Sequence, residues 1–180
     1  TIELYEAYTD FHGMMDIAEG ILSSAAKEIL GTYEVEWLGQ KIDLTPGWPR
    51  LTMAEAVKQY VGVDFMAIDG DEAAVAAAKA AGVDMDGVEP TWGRALYECF
   101  DQKVEEKLVQ PTFITMHPVD VSPLAKRSPK DPRLTERFEF FINCSEFGNA
   151  FSELNDPIDQ RGRFEHEIAL RDAGDDEAGM

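Results

Sequence analysis

Residues 137–154 read RFEFFINCSEFGNAFSEL, and the fold turns on how this stretch is paired. Its two arms are rich in aromatic and β-favouring residues, and Asn143-Cys144-Ser145 between them supplies a turn, so two adjacent antiparallel strands are predicted. A two-residue turn at Asn143 and Cys144 would pair Phe141 with Glu146 and make Glu139 the diagonal neighbour of Glu146 on the same face. Two carboxylates on one sheet surface repel unless a cation sits between them. Mg²⁺, which takes one or two carboxylates plus substrate phosphates, is the natural partner. The alternative is a pair of solvated glutamates on an edge hairpin. In a regular strand Glu146 and the set Asn149, Phe151 and Glu153 would face opposite sides. One extra residue at a bulge at Gly148 would restore a common face, and we predict that bulge.

Upstream, Thr112 to Met116 reads as a further strand, and a long Pro/Ser/Lys loop runs from there through Pro132. Ile2 to Tyr8 alternates apolar and polar residues and is predicted as a strand. From Phe11 the spacing changes to three and four residues (Phe11, Met14, Met15, Ala18, Leu22), giving an amphipathic helix that stops at Gly31. Tyr33 to Leu44 fits a hairpin about Leu38-Gly39-Gln40. Pro46 to Pro49 is a loop. Thr52 caps a helix over Met53 to Tyr60, with Glu55 in the capping-box position. Asp71 to Ala81 forms a short helix in an alanine-rich stretch that looks peripheral, and Trp92 to Val109 forms a longer one. Asp156 caps a last helix, about Ile158 to Arg171, ended by Gly174. Such an order suggests an α+β fold on an antiparallel β-sheet with flanking helices, residues 45–109 being a helical insertion within one domain over 1–180.

The chain has 180 residues and a formal charge of −19, from 35 acidic and 16 basic side chains. That balance argues against a bulk electrostatic grip on nucleic acid by these residues alone. Cys99 and Cys144 are the only cysteines, too few and too far apart for a disulfide framework or a zinc site. No run of about 18 apolar residues occurs, so we expect a soluble, cytoplasmic protein without a membrane partner. The start at Thr1 without Met leads us to expect a piece of something longer.

PTFITMHPVDVSPLAKR (111–127), TERFEFFINCSEFGNAFSELNDPIDQRGRFE (135–165) and DAGDDEA (172–178) follow in an order that resembles the class II lysyl-tRNA synthetases between their second and third signature motifs. ELYEAYTDFHGMMDIAE (3–19) is similar to the strand and helix that close the second motif. The resemblance implies a partial class II synthetase catalytic domain. The family joins lysine to the α-phosphate of ATP, releasing pyrophosphate, and passes the lysyl group to the terminal ribose of tRNA(Lys). It implies Mg²⁺ at Glu139 and Glu146. It implies a lysine pocket in which Glu153 and Tyr5 read the side-chain ammonium, Glu3 the α-amino group and Asn149 the carboxylate end, with Phe151 along the methylene stem. No side chain is expected to act covalently or as acid or base. Lysine, ATP and tRNA(Lys) are the implied partners, in a homodimer.

The family's arginine-bearing ATP contacts and its anticodon-binding domain find no match in these residues, so we expect the piece alone to bind ATP poorly and not to aminoacylate. Two other readings stay open: a paralogue that lysylates a protein such as elongation factor P, and a non-catalytic lysine-binding module. Read singly, Tyr5 and Phe151 are also ordinary core aromatics and Asn149 an ordinary turn residue. Lys126 and Arg127 could form a phosphate patch or a solvated loop, and we give them a supporting role near the site. Asp175-Asp176-Glu177 is a solvated acidic run. Asp84-Met85-Asp86-Gly87 lacks most of a calcium loop. His12, His117 and His166 have no nucleophile beside them.

Overall fold

Four strands build the sheet, in the order β3-β4-β5-β6, in a computed structural model that describes residues 1–172. β4 (Thr112–Thr115), β5 (Arg137–Ile142) and β6 (Ser145–Phe151) run antiparallel to their neighbours. β3 (Arg50–Thr52) pairs with β4 in parallel, so the sheet is mixed. The sequence reading left these three residues between a loop and a helix cap. A three-residue strand directly after Pro49 is too short to show any period.

The β5–β6 hairpin has the predicted two-residue turn: Asn143 and Cys144 both adopt positive φ (52° and 59°) and Ile142 pairs with Ser145. The turn is held from outside as well, because Asn143 N donates to Val109 O and Cys144 N to Leu108 O. Between Phe141↔Glu146 and Phe140↔Gly148 the register shifts, which makes Phe147 the extra residue of the bulge. The bulge thus falls one residue before Gly148, which pairs with Phe140 and has no positive φ. The glycine is required by space, since a Cβ there would stand 2.8 Å from Phe140 Cε1.

Each face of the sheet buries its own core. One face offers Ile114 and Phe141 to α2 (Met53–Val61) and α4 (Trp92–Lys103), which bring Met53, Val57, Leu96 and Phe100. α3 (Asp71–Ala80) buries Ala74 and Ala78 in the same core, deeper than an alanine-rich peripheral helix suggested. The other face offers Phe113, Phe138 and Phe140 to Trp48 and to Phe11 and Met15 of α1 (Phe11–Leu30). There Phe113 stands 5.4–5.7 Å by ring centroids from Trp48, Phe138 and Phe140; such aromatic pairs add about 0.5–1.5 kcal/mol each beyond the area they bury.

Local signals explain most boundaries. Asp10 caps α1 through His12 N and Gly13 N, and Gly31 closes it in the left-handed conformation. Thr52 and Glu55 form the full capping box of α2. β1 (Glu34–Trp37) and β2 (Gln40–Asp43) make the expected hairpin, with Val35 opposite Ile42. α5 (Pro157–Asp172) starts on Asp156, whose Oδ1 accepts from Ile158 N and Asp159 N; Gly174, its expected stop, lies outside the described residues.

Two expectations fail. α4 ends at Lys103, short of Val109, because residues 105–109 turn to hold the β5–β6 hairpin, and Pro111 bars a helix from running on. Residues 2–8 form no strand. An alternating pattern defines two faces but supplies no ladder partner.

Candidate functional site

The β5–β6 register fixes which side chains share a face. Glu139 is opposite Asn149, Phe141 opposite Glu146, and Arg137 opposite Phe151. The bulge at Phe147 brings Glu146 to the side of Asn149, and Asn149 Nδ2 donates to Glu146 Oε1 at 3.1 Å. Past Phe151 the chain exchanges its partner. Ser152 N still donates to Glu136 O, but Lys126 N donates to Ser152 O and Leu154 N to Leu124 O. Glu153 thereby bridges Ala125 at the end of the sheet.

A cleft of about 840 Å³ lies between this end of β6 and residues 2–10. Glu3, Tyr5, Asn149, Phe151 and Glu153 all line it, so the five residues assigned by resemblance to lysine are brought together although residues 2–8 are not a strand. Tyr5 is 82% exposed, leaving the cleft open. Among the described residues that line it, five are acidic (Glu3, Glu6, Asp10, Glu136 and Glu153) and one, Lys126, is basic. The potential favours a cationic ligand.

Glu139 and Glu146 do not line this cleft. The common face predicted for Glu139, Glu146 and Glu153 holds two adjoining places and not one, with Asn149 facing both. Glu139 is 8% exposed. Its Oε1 accepts from Arg137 Nη2 at 2.6 Å, and its Oε2 lies 3.3 Å from His117 Nε2. Burial alone would raise the Glu139 carboxyl, but His117 and Arg137 outweigh it and hold the group below its ordinary value. Glu146 is exposed and has only the Asn149 amide. Glu105, in the turn after α4, is raised by burial and then by the charges of Asp101, Glu139 and Glu146, so negative charge accumulates on this face.

Among the described residues no three His, Cys, Asp or Glu side chains lie close enough to hold a metal ion by themselves. Mg²⁺ takes one or two carboxylates and completes its shell with water and substrate phosphates, so it needs no closed protein cage. The donor set therefore fits the ion that the resemblance implies.

The remaining candidates take structural places. Arg127 pairs with Asp159 and donates to Pro132 O, which removes it as a phosphate ligand, while Lys126 reaches the cleft. Asp84 Oδ1 accepts from Asp86 N in a local turn that docks on Gln102. Asp175-Asp176-Glu177 lies outside the described residues. Sequence reasoning missed Arg137 and His117. Arg137 was within reach, lying two residues before Glu139 on one strand face; His117 gave no signal, being brought in by a bend beyond β4. Among the described residues no helix is long and apolar enough to cross a membrane.

Residues 1–178 match the family described as tRNA synthetases class II (D, K and N). Lysine–tRNA ligase of Staphylococcus aureus (strain MRSA252) is 51% identical over 177 residues, 98% of this chain and 36% of that protein. The lysine–tRNA ligase of Staphylococcus haemolyticus (strain JCSC1435) matches with the same identity and coverage. The chain thus spans 36% of the length of these relatives.

Proposed function

The chain belongs to the class II tRNA synthetases (D, K and N), and from that premise we propose that it forms the lysine pocket and part of the Mg²⁺–ATP site of a lysine–tRNA ligase. One observation carries the reading: Glu3, Tyr5, Asn149, Phe151 and Glu153 line a single cleft whose facing charges are overwhelmingly negative. Free lysine carries two ammonium groups and one carboxylate. Glu153 accepts the side-chain ammonium beside the Tyr5 hydroxyl, Glu3 accepts the α-ammonium, and a charge-assisted bond at each end sets both length and charge. Phe151 packs along the methylenes, and the Asn149 amide serves the carboxylate end.

Glu139 and Glu146 are the residues that would hold Mg²⁺. Bound with ATP, the ion would supply neutralisation of phosphate charge. These side chains act by position and charge, so none need be acid, base or nucleophile. That the relatives are lysine–tRNA ligases favours tRNA as acceptor over a protein. ATP, tRNA(Lys), a homodimer and a cytoplasmic setting complete the proposal.

The test is lysine-dependent ATP–pyrophosphate exchange by the full-length protein. Exchange with lysine that falls at least tenfold in Glu153→Gln supports the reading, and exchange indifferent to lysine overturns it. Residues 1–180 alone are expected to show no exchange.

A further inference from the structure

His117 is completely buried, and among the described residues neither Nδ1 nor Nε2 has a hydrogen-bond partner. Leaving both polar atoms of a buried ring unsatisfied is costly, so the position calls for a reason. Among the described residues the charged group against the ring is Glu139, whose Oε2 is 3.3 Å from Nε2, close enough for attraction though off the line of a hydrogen bond. The other oxygen of Glu139 belongs to Arg137. That guanidinium is itself tethered, since Nη1 donates to Val121 O at 2.7 Å and Ser122 Oγ at 3.1 Å. The histidine is tethered too: its carbonyl accepts from both Thr135 N and Thr135 Oγ1.

A carboxylate bonded through one oxygen to an anchored guanidinium, with an anchored imidazole 3.3 Å from the other, is held in one orientation, yet each oxygen keeps a lone pair. Glu146, on the same face, has no such grip. We propose that His117 and Arg137 are positioning residues that lock Glu139 as the fixed ligand of a divalent cation, with Glu146 as the adjustable one. The proposal rests on the reading of Glu139 and Glu146 as metal ligands. The locked oxygen lowers the ordering cost of metal binding. Arg137 also cancels one of the two carboxylate charges, so that a firmly held ion must draw on phosphate oxygens.

The experiment uses the full-length protein with Mn²⁺ as probe, free Mn²⁺ being followed by electron paramagnetic resonance with ATP present and absent, and lysine binding measured by calorimetry. His117→Phe fills the same space without ring nitrogens. Arg137→Lys keeps the charge but cannot make three anchored bonds, and Arg137→Met removes both. We expect the Mn²⁺ half-saturation concentration with ATP to rise about tenfold in His117→Phe and Arg137→Met and less in Arg137→Lys, with lysine affinity changed less than twofold. Unchanged Mn²⁺ binding in either His117→Phe or Arg137→Lys would overturn the proposal. So would a parallel loss of lysine affinity, the mark of general damage; if Arg137→Met does not fold, the other two variants decide. Failure of the underlying reading looks different: wild-type protein, and not only the variants, would show no ATP-dependent Mn²⁺ site or no Mn²⁺ change in Glu146→Gln.

Discussion

Glu139 lies within β5 and Glu153 two residues past the end of β6, and they are treated in opposite ways. Glu139 is buried at mid-strand, and the protein supplies its countercharge through Arg137, with the His117 ring 3.3 Å from its other oxygen. Glu153 stands at the rim where β6 leaves β5, in a cleft of five carboxylates and one lysine. A buried carboxylate must be paired to exist as an anion, and once paired it is fixed. A carboxylate at an open rim is solvated and needs no partner until a ligand arrives. The first arrangement suits holding a small ion in one geometry, the second selecting a cation from solution.

The comparison breaks most visibly in stability. Glu139→Ala strands the Arg137 guanidinium beside an unsatisfied His117 and is expected to cost about 3 kcal/mol, lowering the thermal midpoint by roughly 6–12 °C. Glu153→Gln should instead leave the midpoint nearly unmoved, within about 0.5 kcal/mol. Its cost appears in calorimetry as lysine affinity weakened roughly tenfold to a hundredfold, the worth of one hydrogen bond to a charged group.

Gly148 joins the two places. An alanine Cβ would meet the Phe140 ring at 2.8 Å, so Gly148→Ala should cost about 1–2 kcal/mol by overpacking, measured by denaturant midpoint. It should weaken Mn²⁺ and lysine binding together, because the bulge that aligns Glu146 with Asn149 would shift.

The smallest effect lies on the loop that brings Lys126 to the cleft. Arg163 and Arg127 hold the Asp159 carboxyl well below the usual aspartate range, and Arg163 Nη1 pins that loop through Ser122 O and Ala125 O. A depressed folded-state value means that the stability is present above the unfolded value, near about 4, and is lost as pH falls through the folded one. Wild type should therefore exceed Asp159→Asn in stability at neutral pH, and the gap should close as pH drops below about 4 in urea titrations.

Much of the face that carries Glu139 and Glu146 was legible in the sequence. The Asn143-Cys144 turn fixed Phe141 against Glu146, and the mismatch in strand parity demanded an extra residue before Asn149, which the structure supplies at Phe147. The reason for Gly148 was not legible, because it depends on the Phe140 ring across the strand pair. Ile2 to Tyr8 misled because alternation was taken for pairing. Yet Glu3 and Tyr5 reach the cleft from an irregular segment, since lining a cavity requires proximity alone. His117 was invisible because a bend beyond β4, and no local pattern, carries it to Glu139.

The central claim is that the cleft reads an ammonium at the far end of its ligand. Calorimetry of the full-length protein with lysine and with norleucine, which keeps the chain and lacks that ammonium, tests it most directly. We expect lysine to bind at least tenfold more tightly, with the difference abolished in Glu153→Gln; equal affinities for the two amino acids in the wild-type protein would contradict the account.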